Sequence, residues 1–153
     1  GEVRQGTSYN KMQISALQGG ETGVELMGTV VQIFDPRFFL VHPETGKRIR
    51  EEEDAGVEPV LSYVMNLVLD DGSGTIRAVF WKNQTNNLIN KTEEEMGVFK
   101  EEPAGFEDIK TDLLGEQYKL LGKVVKNEMF DRLEFSVQMV EKANAVEELA
   151  KLE

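Results

Sequence analysis

The segment "TIRAVFW", from Thr75 to Trp81, sets an arginine and a tryptophan four residues apart. Side chains on a strand alternate between faces, so Arg77, Val79 and Trp81 share one side and Ile76, Ala78 and Phe80 the other. A guanidinium beside an exposed indole suits one kind of chemistry. The ring stacks on a flat partner such as a nucleobase, at about 1–3 kcal/mol per base, and the cation holds a phosphate backbone. The pattern admits a second reading, in which Trp81 packs under the segment that follows and Arg77 pairs with a surface carboxylate. Residues of the same two kinds recur elsewhere. Lys119, Lys123 and Lys126 lie along one segment, with Phe130 and Arg132 in the turn after it. Phe38 and Phe39 follow Pro36 and Arg37. Phe130 stands among charged residues, where it either offers a platform or plugs the end of a barrel.

Catalysis is poorly provided for. The chain has one histidine and no cysteine, which removes thiol nucleophiles, disulfides and cysteine-zinc sites. No phosphate-cradling G-x-x-x-x-G-K and no nucleophile elbow occurs. Asp70-Asp71-Gly72 lacks the later ligands of a calcium loop, since Thr75 leads straight into a strand. The expectation is a non-enzyme without cofactor or metal. With no membrane-length apolar run and no signal-peptide pattern, a soluble intracellular domain is expected, cytoplasmic or nucleoid-associated if the source is prokaryotic. Gly1 reads as a tag remnant or a cut from a longer chain.

The net charge of −11 argues against a polyanionic ligand until the acid is located. Residues 42–58 carry six acids against three bases, residues 91–112 eight against three, and residues 141–153 four against two. Taking these from 28 acids and 17 bases leaves ten and nine. The acid therefore sits in three stretches, as solvated surface, and a basic face elsewhere is permitted.

"VELMGTVVQIF" (Val24–Phe34) is a β-branched strand, with Gly28 marking a bend or bulge. Prolines 36, 43 and 59 break up the connection that follows, which turns at Glu44–Gly46. Leu61–Leu69 and Thr75–Lys82 form a hairpin around Asp70–Gly74, where Asp side chains brace the turn and Gly supplies positive φ. Leu88, Ile89, Thr92 and Met96 align on one helix ended by Gly97, and Phe106, Ile109 and Leu113 on another ended by Gly115. Gln117–Lys126 and Leu133–Val140 are strands around the turn 127–132, with Leu133, Phe135, Val137 and Met139 facing inward. "NAVEELAKLE" is a short amphipathic helix capped by Asn144. The fold class expected is mainly β: a five-stranded OB-fold Greek-key barrel. It has a long insert after the first strand, a helical segment between strands 3 and 4, and a C-terminal helix. The parts are a flexible N-terminal strap (1–22), the OB domain (23–142, with 35–60 as insert) and the helix (143–153).

"YVMNLVLDDGSGTIRAVFW" resembles the central hairpin of the single-stranded DNA-binding OB domains of replication protein A, the archaeal large-subunit type above all. "VELMGTVVQIF" resembles that family's first strand and "YKLLGKVVKN" its fourth, so the likeness spans about Gly23 to Lys142. It implies that Arg77 contacts DNA, that Trp81 stacks on a base, and that a second stacking aromatic lies near the last strand pair, where Phe130 stands. It implies a non-catalytic domain that coats single-stranded DNA in replication, repair or recombination, with other subunits of the same assembly as partners. In the family's zinc-bearing member the long connection holds a four-cysteine ribbon. Here "His42-Pro43-Glu44-Thr45-Gly46" keeps the outline without the ligands, and a lone histidine cannot close a zinc site. The alternative function is an OB module for protein assembly with a degenerate nucleic-acid face. The C-terminal stripe of Ala143, Val146, Leu149 and Ala150 would then join partner helices. Stacking and phosphate contacts serve DNA and RNA alike.

Overall fold

Alternating apolar residues produce the strands, and their inward halves meet in one core. The structure, a computed structural model, describes residues 9–50 and 55–143. Its strands are β1 (Asn10–Lys11), β2 (Val24–Ile33), β3 (Arg37–Val41), β4 (Val60–Asp70), β5 (Thr75–Phe80), β6 (Gln117–Asn127) and β7 (Arg132–Lys142). Helices α1 (Lys82–Ile89), α2 (Glu93–Glu101) and α3 (Glu107–Leu113) fall between β5 and β6. Five strands close a ring in the order β2-β6-β7-β5-β4, and β4 pairs back onto β2. Only the β5–β7 contact within the ring is parallel. This is the order of a five-stranded Greek-key barrel.

Among the described residues the sheet nevertheless has seven strands, not the expected five. The extra two are short. β1 lies parallel along β2, and β3 pairs antiparallel with β4. β3 arises inside the expected insert, because "RFFLV" is an apolar run next to an otherwise open sheet edge. Beyond it the insert turns at Glu44–Gly46 as the sequence indicates, with Gly46 at φ 73° and a bridge from Val41 to Arg48. His42 serves this turn, its Nδ1 accepting the Glu44 N–H at 3.1 Å. The likeness to a zinc ribbon gains no support, since the chain holds no cysteine.

Leu26, Val30, Tyr63, Met65, Leu67, Leu69, Ala78, Phe80, Leu120, Val124, Phe135 and Val137 fill the barrel, all but fully buried. Gly28 is required by close approach: a Cβ there would stand 2.6 Å from the Asp70 carbonyl oxygen. Two bulges shift the alternation. One is at Val31 on β2, between Val30 and Gln32; the other is at Gln138 on β7, the extra residue opposite the Leu121–Gly122 step of β6. A bulge moves every later residue to the opposite face. Met139, expected inside, is consequently half exposed, and Val140 packs on the core instead.

Helices plug one end of the barrel through Leu88, Met96, Phe106 and Leu113. The expected single helix before Gly97 is in fact two. Asn90 adopts the left-handed conformation (φ 55°) and ends α1, and Thr92 with Glu95 forms a capping box that starts α2. Gly97 sits inside α2, not at its end. Gly115 (φ 86°) stops the chain after α3 as expected. At the other end, Ile14 and Leu17 of the N-terminal strap are buried against the barrel. Of the expected terminal helix (143–153), all but Ala143 lies outside the described residues.

Candidate nucleic-acid interface

Strand β5 holds the alternation read from its sequence. Ile76, Ala78 and Phe80 are buried, while Arg77 and Val79 face out. Trp81 continues the outward side with extended backbone and is 49% exposed, so it is not a core residue. Its carbonyl accepts the Thr85 N–H at 2.8 Å, and the Thr85 hydroxyl donates to the Phe80 carbonyl at 3.0 Å. The start of α1 thus fixes the backbone that carries the indole.

Beside this face runs an open groove. Its lining is Phe34 just past the end of β2, Asp35 and Arg37 from the start of the insert, Asn66 from β4, Arg77 from β5, and Phe130 and Arg132 from the β6–β7 turn. A second groove shares Arg77 and Arg132 and continues over Val68, Thr75 and Leu133 towards Ile14. The register explains the convergence: Arg77 lies between Val68 of β4 and Glu134 of β7. The Arg77 guanidinium stands 4.2 Å above the Phe34 ring, and that of Arg132 4.6 Å above Phe130. Each lip of the groove is therefore an aromatic ring with a cation against its face.

The local charge is positive although the chain is acidic. Burial is the main influence that lowers the Arg77 pKa, followed by repulsion from Arg132, with Arg37 adding to it and Glu134 opposing. The carboxylate in the groove lining, Asp35, and the one opposite Arg77 on β7, Glu134, are already engaged. Asp35 pairs with Lys110 at 2.7 Å, and Glu134 with Arg132 at 2.9 Å. Among the described residues no carboxylate lies within ion-pair distance of Arg37 or Arg77. Such an arrangement can hold an extended polyanion and stack flat groups against its rings.

Of the other residues singled out from sequence, Phe130 and Arg132 line the groove and the rest are dispersed. Phe130 is 58% exposed and Met129 beside it 84%. Phe39 faces out on β3, opposite Ser62, with the Arg48 guanidinium 4.9 Å over its ring. Phe38 points the other way, 5.7 Å from the buried Tyr63 ring, and packs on the core. Lys119, Lys123 and Lys126 do not line the groove. They lie on β6, whose neighbours in the ring are β2 and β7, so β7 separates them from β5. Lys126 instead approaches Asp131 at 3.9 Å. Phe34, Arg37 and Asn66 were not in the set drawn from sequence. The bulge on β2 turns Phe34 outward, where simple alternation from Leu26 and Val30 puts it inside.

No protein-family model matches the sequence, and no curated protein matches it. Solved structures do. The second OB-fold domain of replication protein A from Methanococcus maripaludis is 17% identical with a TM-score of 0.51, covering 88% of this chain and 96% of that one. A structure of yeast replication protein A bound to single-stranded DNA gives 14% identity and a TM-score of 0.65, over 95% and 98% of the two chains. A replication protein A heterotrimer bound to single-stranded DNA gives 12% and 0.73 over 95% of this chain, which spans 39% of that one. At these identities the likeness establishes the fold: the chain is an OB barrel.

Proposed function

We propose that this chain is a non-catalytic OB domain of the replication protein A kind that binds single-stranded DNA without strong sequence preference. The observation that carries the reading is the groove itself. Arg37, Arg77 and Arg132 converge there with the Phe34 and Phe130 rings, in a chain of net charge −11. Two of the structures that share its fold are bound to single-stranded DNA. The arginines would follow phosphates, and the rings, with Trp81, would stack on bases. Roles in replication, repair or recombination, an intracellular location, the division at residues 23 and 142, and pairing with other subunits through the C-terminal segment belong to the same proposal.

Trp81 is the chain's single tryptophan, so its own emission reports the test. Titration with oligo-dT should quench that emission saturably, and the apparent affinity should fall steeply with salt. No quenching, together with no binding by anisotropy at low salt, would overturn the proposal. The assembly reading has one observation in its favour. Val31 and Leu114, about half exposed, flank a groove between β2 and α3. It would be preferred if the domain self-associates and ignores oligonucleotides.

A further inference from the structure

We propose that a pocket between the insert and the helical segment docks a basic peptide segment of a partner protein, anchored by one aliphatic side chain of leucine size. The insert contributes Pro36 and Phe38 to its lining, and the stretch from α2 towards α3 contributes Phe99, Pro103 and Phe106. Asp35 and Lys100 complete it. The apolar walls are fixed by packing before anything binds. Phe106 is buried, and the Phe99 ring meets it edge-on at 5.4 Å. Phe38 is held against the buried Tyr63 ring at 5.7 Å. The two prolines carry no N–H, so they offer water no backbone donor. At about 90 Å³ the pocket is smaller than the roughly 150 Å³ apolar cavity that admits benzene, which selects a branched aliphatic side chain over an aromatic ring.

Charge decides the occupant. Residues 93–108 hold seven acids against one base, Lys100. The nearby cations are engaged: Lys100 lies 3.6 Å from Glu101, and Lys110 is shared by Asp35 at 2.7 Å and Glu107 at 2.8 Å. Among the described residues Glu102, next to Pro103 of the lining, has no cation within ion-pair distance. An apolar pocket set in excess acid attracts a cationic segment and repels an acidic one. This field is opposite in sign to that of the groove. The two sites lie back to back on one stretch of chain, since Phe34, Asp35 and Arg37 line the groove and Asp35, Pro36 and Phe38 the pocket. None of the groove's arginines lines the pocket, so a segment docked there leaves them free.

The probe is the peptide acetyl-KKLKK-amide, titrated into isotope-labelled protein and followed by amide chemical shifts. Saturable shifts should gather around Phe38, Phe99 and Phe106. Replacing the leucine by alanine should weaken binding about tenfold, the effect of returning a buried isopropyl group to water. The acidic peptide acetyl-EELEE-amide should not bind. Phe99→Ala opens one wall and should abolish the preference for leucine over alanine. The double variant Glu101→Lys/Glu102→Lys changes exposed positions outside the packed walls, where lysine also suits the end of α2. It should weaken the basic peptide about tenfold, with a melting curve that matches the unaltered protein. Equal affinity for the leucine and alanine peptides, or shifts scattered over the acidic surface, would overturn the inference. So would self-association of the unaltered protein that Phe99→Ala abolishes, because a second copy would then fill the pocket. None of these results depends on whether oligo-dT binds the groove.

Discussion

Two tight turns join antiparallel neighbours on this barrel and use their side chains in opposite ways. In the β4–β5 turn the side chains of Asp70, Asp71 and Ser73 are all bound to backbone or to one another. Asp70 accepts the Gly72 N–H at 2.7 Å, and Gly72 itself takes φ 88°. Asp71 accepts the Ser73 N–H at 2.8 Å and the Ser73 hydroxyl at 2.6 Å with one oxygen, and the Ile14 N–H at 2.8 Å with the other. Ser73 in turn accepts the Ser15 N–H at 3.1 Å. The turn thereby clasps the N-terminal strap that closes the barrel. In the β6–β7 turn, Asn127 accepts the Phe130 N–H at 3.2 Å and donates to Glu134 at 3.1 Å, and Arg132 also donates to Glu134, at 2.9 Å, so its side-chain bonds stay within the hairpin. Its apolar tip, Met129 and Phe130, is left in solvent beside Arg132. Removing a large apolar ring from water is favourable, so a protein that leaves one out beside a cation forgoes stability there. The difference separates a turn that holds the fold from one that presents a surface.

Substitutions in the two turns should separate stability from binding. The largest effect on stability is expected at Asp71. Asp71→Ala leaves three donors without their acceptor and should lower unfolding free energy by about 2 kcal/mol, with binding by the folded fraction unchanged. Denaturant unfolding and oligonucleotide titration of the same variant would check both halves. Phe130→Ala should do the reverse. Binding should weaken by about 1–2 kcal/mol, the stacking contribution of one ring, and stability should shift by no more than about 0.5 kcal/mol. If Phe130→Ala destabilises the domain and Asp71→Ala does not, the roles of the two turns are exchanged.

A smaller effect concerns acid. Burial, the largest influence on Asp71, pushes its carboxyl up. The Ser73 hydroxyl and the backbone N–H groups of Ile14, Ser73 and Gly74 together outweigh it, so its pKa lies below the usual carboxylate range. A depressed folded-state pKa means the unfolded state binds the proton more readily. The stabilisation is present above the ordinary aspartate pKa of about 3.9 and is lost as pH falls through the lower folded value. Thermal melts below about pH 4 should therefore decline more steeply for the unaltered protein than for Asp71→Asn. The smallest effect is expected at Lys123, exposed on β6 and away from the groove. Lys123→Ala should leave melting and short-oligonucleotide binding within about 0.5 kcal/mol of the starting values, which calorimetry and anisotropy would show.

Much of this was legible in sequence where the physics is local. The Asp-Asp-Gly turn, the inward set of β5, the stop at Gly115 and the five barrel strands follow from turn chemistry and period-two alternation. What escaped is non-local. Whether Lys119, Lys123 and Lys126 meet Arg77 depends on ring order, and β7, not β6, lies against β5. Phe34 reached the groove only because a bulge inverts its face. Phe38 and Phe39, adjacent in sequence, were one patch until β3 paired with β4 and sent them to opposite sides.

The central claim is that the groove around Arg77 holds a phosphate backbone. It is tested most directly by the salt dependence of oligo-dT binding to the unaltered protein and to Arg77→Ala. The variant should bind more weakly at low salt and give a plot of log K against log salt that is flatter by about one phosphate contact, with melting little changed. Equal affinity and an equal slope in the two proteins would contradict it.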